Sequence, residues 1–186
     1  MKSLAAIALG FLACTGTAQA AAVMSFEQVG ADVVGTLSGS LDLTGMTSAG
    51  LYTAANPYID PSQGVFGTGA GGAYQDGYLQ QVSGAAFGAG GPTVATATSG
   101  DAVFLWGLGT NLWLPDGYAS GDALSGTVTF GGSSFTSLGV DPGDHVFTLA
   151  SGDTLTVSFN TTVPEPGDLA LVALGLSALG LARRRR

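Results

Sequence analysis

His145 is the only histidine in the chain, so any Ser-His-Asp relay would have to be built on it. It follows Asp144, but no Gly-x-Ser-x-Gly turn offers an exposed nucleophile, and the pattern places it as a solvated residue at a strand edge. Zinc needs several imidazole or thiolate ligands. Beyond His145 there is only Cys14, close to the N-terminus. Hard cations are less easily dismissed. Asp141, Asp144 and Asp153 flank two neighbouring turns, and oxygen-rich turns bind Ca²⁺, which makes them weak calcium candidates. Neither EF-hand spacing nor a repeated Gly-Gly-x-Gly-x-Asp accompanies them, and turn aspartates ordinarily bond the local backbone. Glycoside hydrolysis needs two positioned carboxylates, one of them kept protonated. The body offers Glu27 and scattered aspartates. No catalytic residue and no cofactor is assigned on these grounds, and the chain reads as a non-enzyme.

The aromatic side chains are the remaining candidates. Tyr74, Tyr78 and Tyr118 form a candidate ligand surface that could stack on sugar rings, whereas Trp106 and Trp113 are assigned to core packing. Thr93-Val94-Ala95-Thr96-Ala97-Thr98 is a single short threonine run without the regular array an ice-binding face would need.

Charge narrows the partners. All five basic residues, Lys2 and Arg183 to Arg186, lie at the two ends. Of the thirteen acids only Glu165 and Asp168 fall in the tail, which leaves the body from Ala21 to Val163 with a formal charge of −11. A surface without cations cannot neutralise phosphates, which argues against nucleic acid as a partner. Such acidity could attract divalent cations or repel anionic polymers, but its ordinary effect is to keep a protein soluble.

The elements that would carry these residues are strands. Val23 to Val29 reads as a first strand, with a hairpin turn at Gly30-Ala31-Asp32. Val33 to Leu43 follows, with Leu37, Leu41 and Leu43 on one face. Leu124 to Phe130, Phe135 to Val140, His145 to Leu149 and Thr154 to Phe159 read as further strands. In the last, Leu155, Val157 and Phe159 alternate against Thr154, Thr156 and Ser158. Ala102 to Trp106 and Asn111 to Pro115 read as buried strands. The glycine-rich middle, residues 50–99, is expected to hold long connections and short strands, one of them over Gly77 to Val82. Long loops often carry function, so a binding surface is sought there. Closely spaced strands and turns without a long helical period predict an all-β fold, an antiparallel β-sandwich or jelly-roll-like ectodomain over residues 21–162.

The ends read differently from the body. Lys2, the apolar run Leu4 to Leu12 and the small-x-small site Ala18-Gln19-Ala20 make residues 1–20 a secretory signal peptide, with cleavage after Ala20 or, alternatively, Ala22. Phe11-Leu12-Ala13 before Cys14 is a poor lipobox. Cleavage leaves no cysteine, so no disulfide can stabilise the mature chain. At the other end, Leu169-Ala170-Leu171-Val172-Ala173-Leu174-Gly175-Leu176-Ser177-Ala178-Leu179-Gly180-Leu181-Ala182 would make a single hydrophobic helix of roughly 21 Å. That is a marginal span for a hydrocarbon core about 30 Å thick. Arg183-Arg184-Arg185-Arg186 then acts as a basic stop that stays cytoplasmic, so the body would lie outside the inner membrane.

Val163-Pro164-Glu165-Pro166, the apolar stretch and the arginine cluster together resemble the PEP-CTERM sorting signal of Gram-negative bacteria, over residues 163–186 only. Gly167-Asp168 before the apolar run is a mild departure. The resemblance implies transient inner-membrane insertion, recognition by an exosortase after signal peptidase has acted, and removal of the tail near Pro-Glu-Pro. It further implies delivery to the cell surface or a biofilm matrix associated with exopolysaccharide. Val33 to Gly45, Leu124 to Phe130 and Phe135 to Gly143 are similar to a recurrent β-rich ectodomain of such proteins, to which no activity is attached. The expectation is therefore an exported, non-enzymatic surface or matrix protein. The alternative is a carbohydrate-binding module acting on exopolysaccharide, and the weakest reading is a secreted hydrolase.

Overall fold

The computed structural model describes residues 21–160. The expected signal peptide at 1–20 and the expected sorting motif, apolar run and arginine stop at 163–186 lie outside the described residues.

The described chain is all-β. In order it runs β1 (Ala21–Val29), β2 (Asp32–Ser40), β3 (Leu51–Thr53), β4 (Tyr58–Asp60), a 3-10 turn (Pro61–Gln63), β5 (Val65–Gly67), β6 (Tyr74–Tyr78) and β7 (Val82–Ser83). It continues with β8 (Thr93–Val94), β9 (Ala97–Gly100), β10 (Phe104–Trp106), β11 (Asn111–Pro115), β12 (Ala123–Phe130), α1 (Phe135–Leu138), β13 (Gly143–Leu149) and β14 (Thr154–Asn160). These strands form two seven-stranded sheets, ordered β7-β13-β14-β1-β2-β12-β9 and β3-β6-β11-β10-β5-β4-β8.

Alternation explains the long strands of the first sheet. Ala22, Met24 and Phe26 of β1 are fully buried while Val23 and Glu27 face outward. Leu155, Val157 and Phe159 of β14 point inward, as their spacing predicts. The inward faces of both sheets contribute to one buried cluster, from Met24, Phe26 and Phe159 in the first to Phe66, Leu105, Leu112 and Leu114 in the second. Phe159 is its hub. Its ring lies 4.9 Å from Phe26, 5.2 Å from Phe87 and 5.8 Å from Phe135, centre to centre. The outer face of the first sheet carries short hydroxyls in register, Ser99, Thr127, Thr36, Ser25 and Ser158, one on each successive strand from β9 to β14.

Several expectations need correction. Phe135 to Val140 is not a strand. Ser134 and Ser137 bond each other's backbone amides in a capping box, and Gly139 closes the turn at φ 67°, so α1 forms instead. Phe135 and Leu138, three residues apart, are the buried pair that a helical turn places on one face. The proposed strand Gly77 to Val82 is split: β6 ends at Tyr78, and Val82 pairs with β13 in the other sheet. The second strand stops at Ser40, with Leu41 still fully buried and Leu43 only half-buried. The sheets are not wholly antiparallel either, because β1 runs parallel to β14 from Ala21↔Thr154 to Glu27↔Asn160. The middle segment holds short strands, as expected, and these are packed: β3 to β6 and β8 supply most of the second sheet, while β7 and β9 join the first.

A polar clamp holds the segment after β2. Leu41 N–H donates to the Tyr118 hydroxyl at 2.7 Å, and that hydroxyl donates onward to the Asp122 carbonyl at 2.8 Å. Asp42 N–H donates to Asp153 Oδ2 at 2.7 Å. Ser120 both accepts from Leu43 N–H and donates to Asp42.

Candidate functional site

In β11, Leu112 and Leu114 are fully buried. By the two-residue period of a strand, Trp113 must face the opposite side. In β10, Leu105 is fully buried, so Phe104 faces outward too. Phe104 and Trp113 are direct cross-strand partners, and Tyr52 of β3 and Tyr58 of β4 extend the row on either side. Ring centres are separated by 6.1 Å for Tyr52–Trp113, 5.8 Å for Trp113–Phe104 and 5.3 Å for Phe104–Tyr58. All four rings are half-buried.

Two glycines seat the row. A Cβ on Gly77 would lie 2.4 Å from the Tyr52 ring, and one on Gly67 would lie 2.7 Å from the Phe104 ring. Each ring therefore rests where a neighbouring strand carries no side chain. Trp113 stands at 79° to Tyr52 and 75° to Phe104, so the three rings make two inside corners. Between them opens a cleft of about 170 Å³, lined by Tyr52, Thr53, Ala55, Gln75, Phe104 and Trp113.

Gln75 supplies the polar contribution. It is only 3 % exposed, and its Nε2 donates to the Ala102 carbonyl at 2.7 Å. Its Oε1 has no protein partner among the described residues, whereas every side-chain polar atom there that is sealed from solvent has one. That oxygen therefore keeps some contact with solvent, and Gln75 lines the cleft. Burial, reinforced by the Asp60 charge, holds the Tyr58 hydroxyl above the ordinary phenol range, and the ring stays neutral at physiological pH. The arrangement offers ring faces, a single amide acceptor and no cation. It can stack on a ligand and accept a hydrogen bond from it.

The candidate residues read from the sequence are not brought together. Tyr74 is 61 % exposed but lies outside the cleft. Tyr78 is 6 % exposed and pairs with Leu112 on the buried side, which corrects its assignment to a ligand surface. Tyr118 is half-buried, and its hydroxyl is committed to the clamp beside β2. The core assignments of the tryptophans are also corrected. Trp106 is 40 % exposed, and Trp113 is the centre of the outward row.

The three calcium candidates sit apart. Asp144 lies at the open end of the β13–β14 hairpin, where it accepts from the Ser158 hydroxyl. Asp153 lies at the turn end, where it is 4 % exposed and caps Asp42 and Thr154 N–H. Asp141 offers His145 its backbone carbonyl. Among the described residues no group of three or more His, Cys, Asp or Glu could hold a metal ion.

His145 does lie where β13 is an edge, beyond the reach of β7, but it is half-buried rather than fully solvated. It shares the inward face of β13 with Phe147 and Leu149, and its ring packs 6.0 Å from Phe87 and 5.8 Å from Phe159. Its Nε2 lies 2.9 Å from the Asp141 carbonyl, while Asp144 and Ser158 bond each other on the opposite face. The threonine run is likewise committed: Thr96 and Thr98 hydroxyls donate to the carbonyls of Thr129, Gly69 and Thr127. A wider hollow of about 580 Å³ beside α1 has the Gln28 amide at its edge, and that amide already serves the Asp32 and Ser133 carbonyls. Among the described residues, the aromatic cleft joins several ring faces to an unused amide oxygen.

No protein-family model, curated protein or solved structure matches this chain.

Proposed function

We propose that the chain is an exported, non-enzymatic protein of the cell surface or extracellular matrix that attaches to a glycan through the aromatic cleft. The contiguous row Tyr52–Trp113–Phe104–Tyr58 carries this reading. Exposed rings cost solvation free energy unless something covers them, and sugar C–H faces are suitable covers. A cleft of about 170 Å³ is smaller than the usual drug-sized pocket, which suits a single sugar ring approached from an open polymer.

The architecture we infer is an antiparallel-rich β-sandwich, supported by inward residues of both sheets entering one cluster. The parallel β1–β14 pair departs from a jelly roll. Residues 163–186 are read as a PEP-CTERM-type sorting signal, inserted transiently in the inner membrane and processed by an exosortase. That reading rests on the order Pro-Glu-Pro, apolar run, arginines.

Binding is tested by calorimetry of the full-length chain against a panel of exopolysaccharide fragments, with and without Ca²⁺. Affinity that falls at least tenfold in Trp113→Ala, about 1.4 kcal/mol, supports the cleft. Absence of binding across the panel, or binding indifferent to this substitution, refutes it. Sorting is tested by mass spectrometry of protein recovered from its host: Arg183 to Arg186 should be missing, and their retention would sink the processing reading.

A further inference from the structure

We propose that the cleft is selective for an amine-bearing sugar unit, a glucosamine-type residue whose protonated amino group sits at the Tyr52–Trp113–Phe104 corner. This rests on the glycan reading above and adds a chemical class to it.

Three independent features favour a cation. The rings are electron-rich on their faces, and an ammonium group against the face of Trp, Tyr or Phe is attracted by the ring quadrupole. Two rings standing at 79° and 75° to Trp113 give a compact cation more than one such surface. The buried polar side chain that lines the cleft has an acceptor to spare. Gln75 spends its Nε2 on Ala102 and leaves Oε1 free, and an ammonium group brings only donors. Lastly, the body around the cleft has no Lys or Arg and a formal charge of −11. Such a field draws cationic ligands toward the surface and repels uronate or sulfate polymers. A neutral glucan would gain stacking but neither of the other two effects.

The test is a tryptophan-fluorescence titration of the full-length chain with three tetrasaccharides of one backbone: β-1,4-glucose, β-1,4-N-acetylglucosamine and β-1,4-glucosamine. At slightly acidic pH the glucosamine tetramer should bind at least tenfold tighter than the glucose tetramer. The preference should collapse when the pH is raised until the amine is neutral. Trp113→Leu should abolish it, and Phe104→Leu serves instead if that variant does not fold. Equal affinity for the glucose and glucosamine tetramers overturns this inference while leaving glycan binding standing. Glucosamine binding that persists undiminished in the folded leucine variant and disappears with added salt also overturns it, because it marks adsorption to an acidic surface. Failure of all three sugars to bind also overturns this inference, and the wider exopolysaccharide panel then decides whether the glycan reading stands.

Discussion

Trp113 shows how one side chain can be placed from its neighbours. Leu112 and Leu114 are fully buried on either side of it, so a strict two-residue period sends the indole outward. That period was available in the sequence. The core assignment came instead from the general tendency of tryptophan to pack inside. Tyr52 and Tyr58 carried no such signal, since their strands are three residues long and a period cannot be read over three positions. The free Oε1 of Gln75 was beyond any pattern, because it depends on a carbonyl 27 residues away. Tyr118 makes the clearest residue-scale prediction. Tyr118→Phe removes the acceptor of Leu41 N–H and the donor to Asp122. An orphaned, part-buried amide costs about 1–3 kcal/mol, and a urea denaturation series should show that loss at unchanged m-value. A midpoint equal to wild type would mean that water replaces the hydroxyl at no cost.

At the scale of elements, α1 shows why a strand reading failed. The capping box uses Ser137 in the place where Glu or Gln is the usual signature, and the apolar residues of the segment are too few to separate a helical from an extended period. The long strands β1, β2, β12 and β14 were legible because each is seven or more residues long and alternates over most of its length. The second sheet was not, since its short strands draw stability from neighbours rather than from their own pattern. Its outward row depends on absent side chains. Gly77→Ala would drive a Cβ to within 2.4 Å of the Tyr52 ring, forcing that ring off its seat. Loss of glycan affinity should then approach that of Trp113→Ala, although no ring has been removed. Full affinity in a folded Gly77→Ala protein, measured in the same calorimeter, would show that Tyr52 is not part of the site.

For the whole molecule the governing fact is a body with eleven acids and no Lys or Arg. Self-repulsion of that charge is screened by salt. The melting temperature should therefore rise between low and physiological ionic strength, and a flat or falling response would contradict a dominant repulsive field. The pH limits follow from two sets of groups. Hydrogen bonds from Thr44, then Ser120, hold Asp42 below the usual carboxylate range. Its contribution is present above about pH 4 and is lost as pH falls through the depressed value. Desolvation, more than the nearby carboxylates, raises the phenols of Tyr58, Tyr78 and Tyr118. Their contribution is full below about pH 10 and is lost as pH climbs through the raised values. Stability measured against pH should thus form a plateau between these limits. The strand order on which all of this rests was not readable in advance, because alternation tells which face a residue takes and not which strand lies beside it.

The pairing of β1 with β14 has a kinetic consequence. Ala21 and Thr154 are neighbours in the finished sheet, although roughly 130 residues of chain lie between them, and contacts closed over such long loops are slow to form. A chain emerging N-terminus first can make the β1–β2 hairpin early, but one edge of β1 stays unpaired until the last strand arrives. Until then that edge is an open template for any passing strand. A product that stops short of Thr154 is thus an unfinished sheet with its centre exposed, and aggregation is its expected fate.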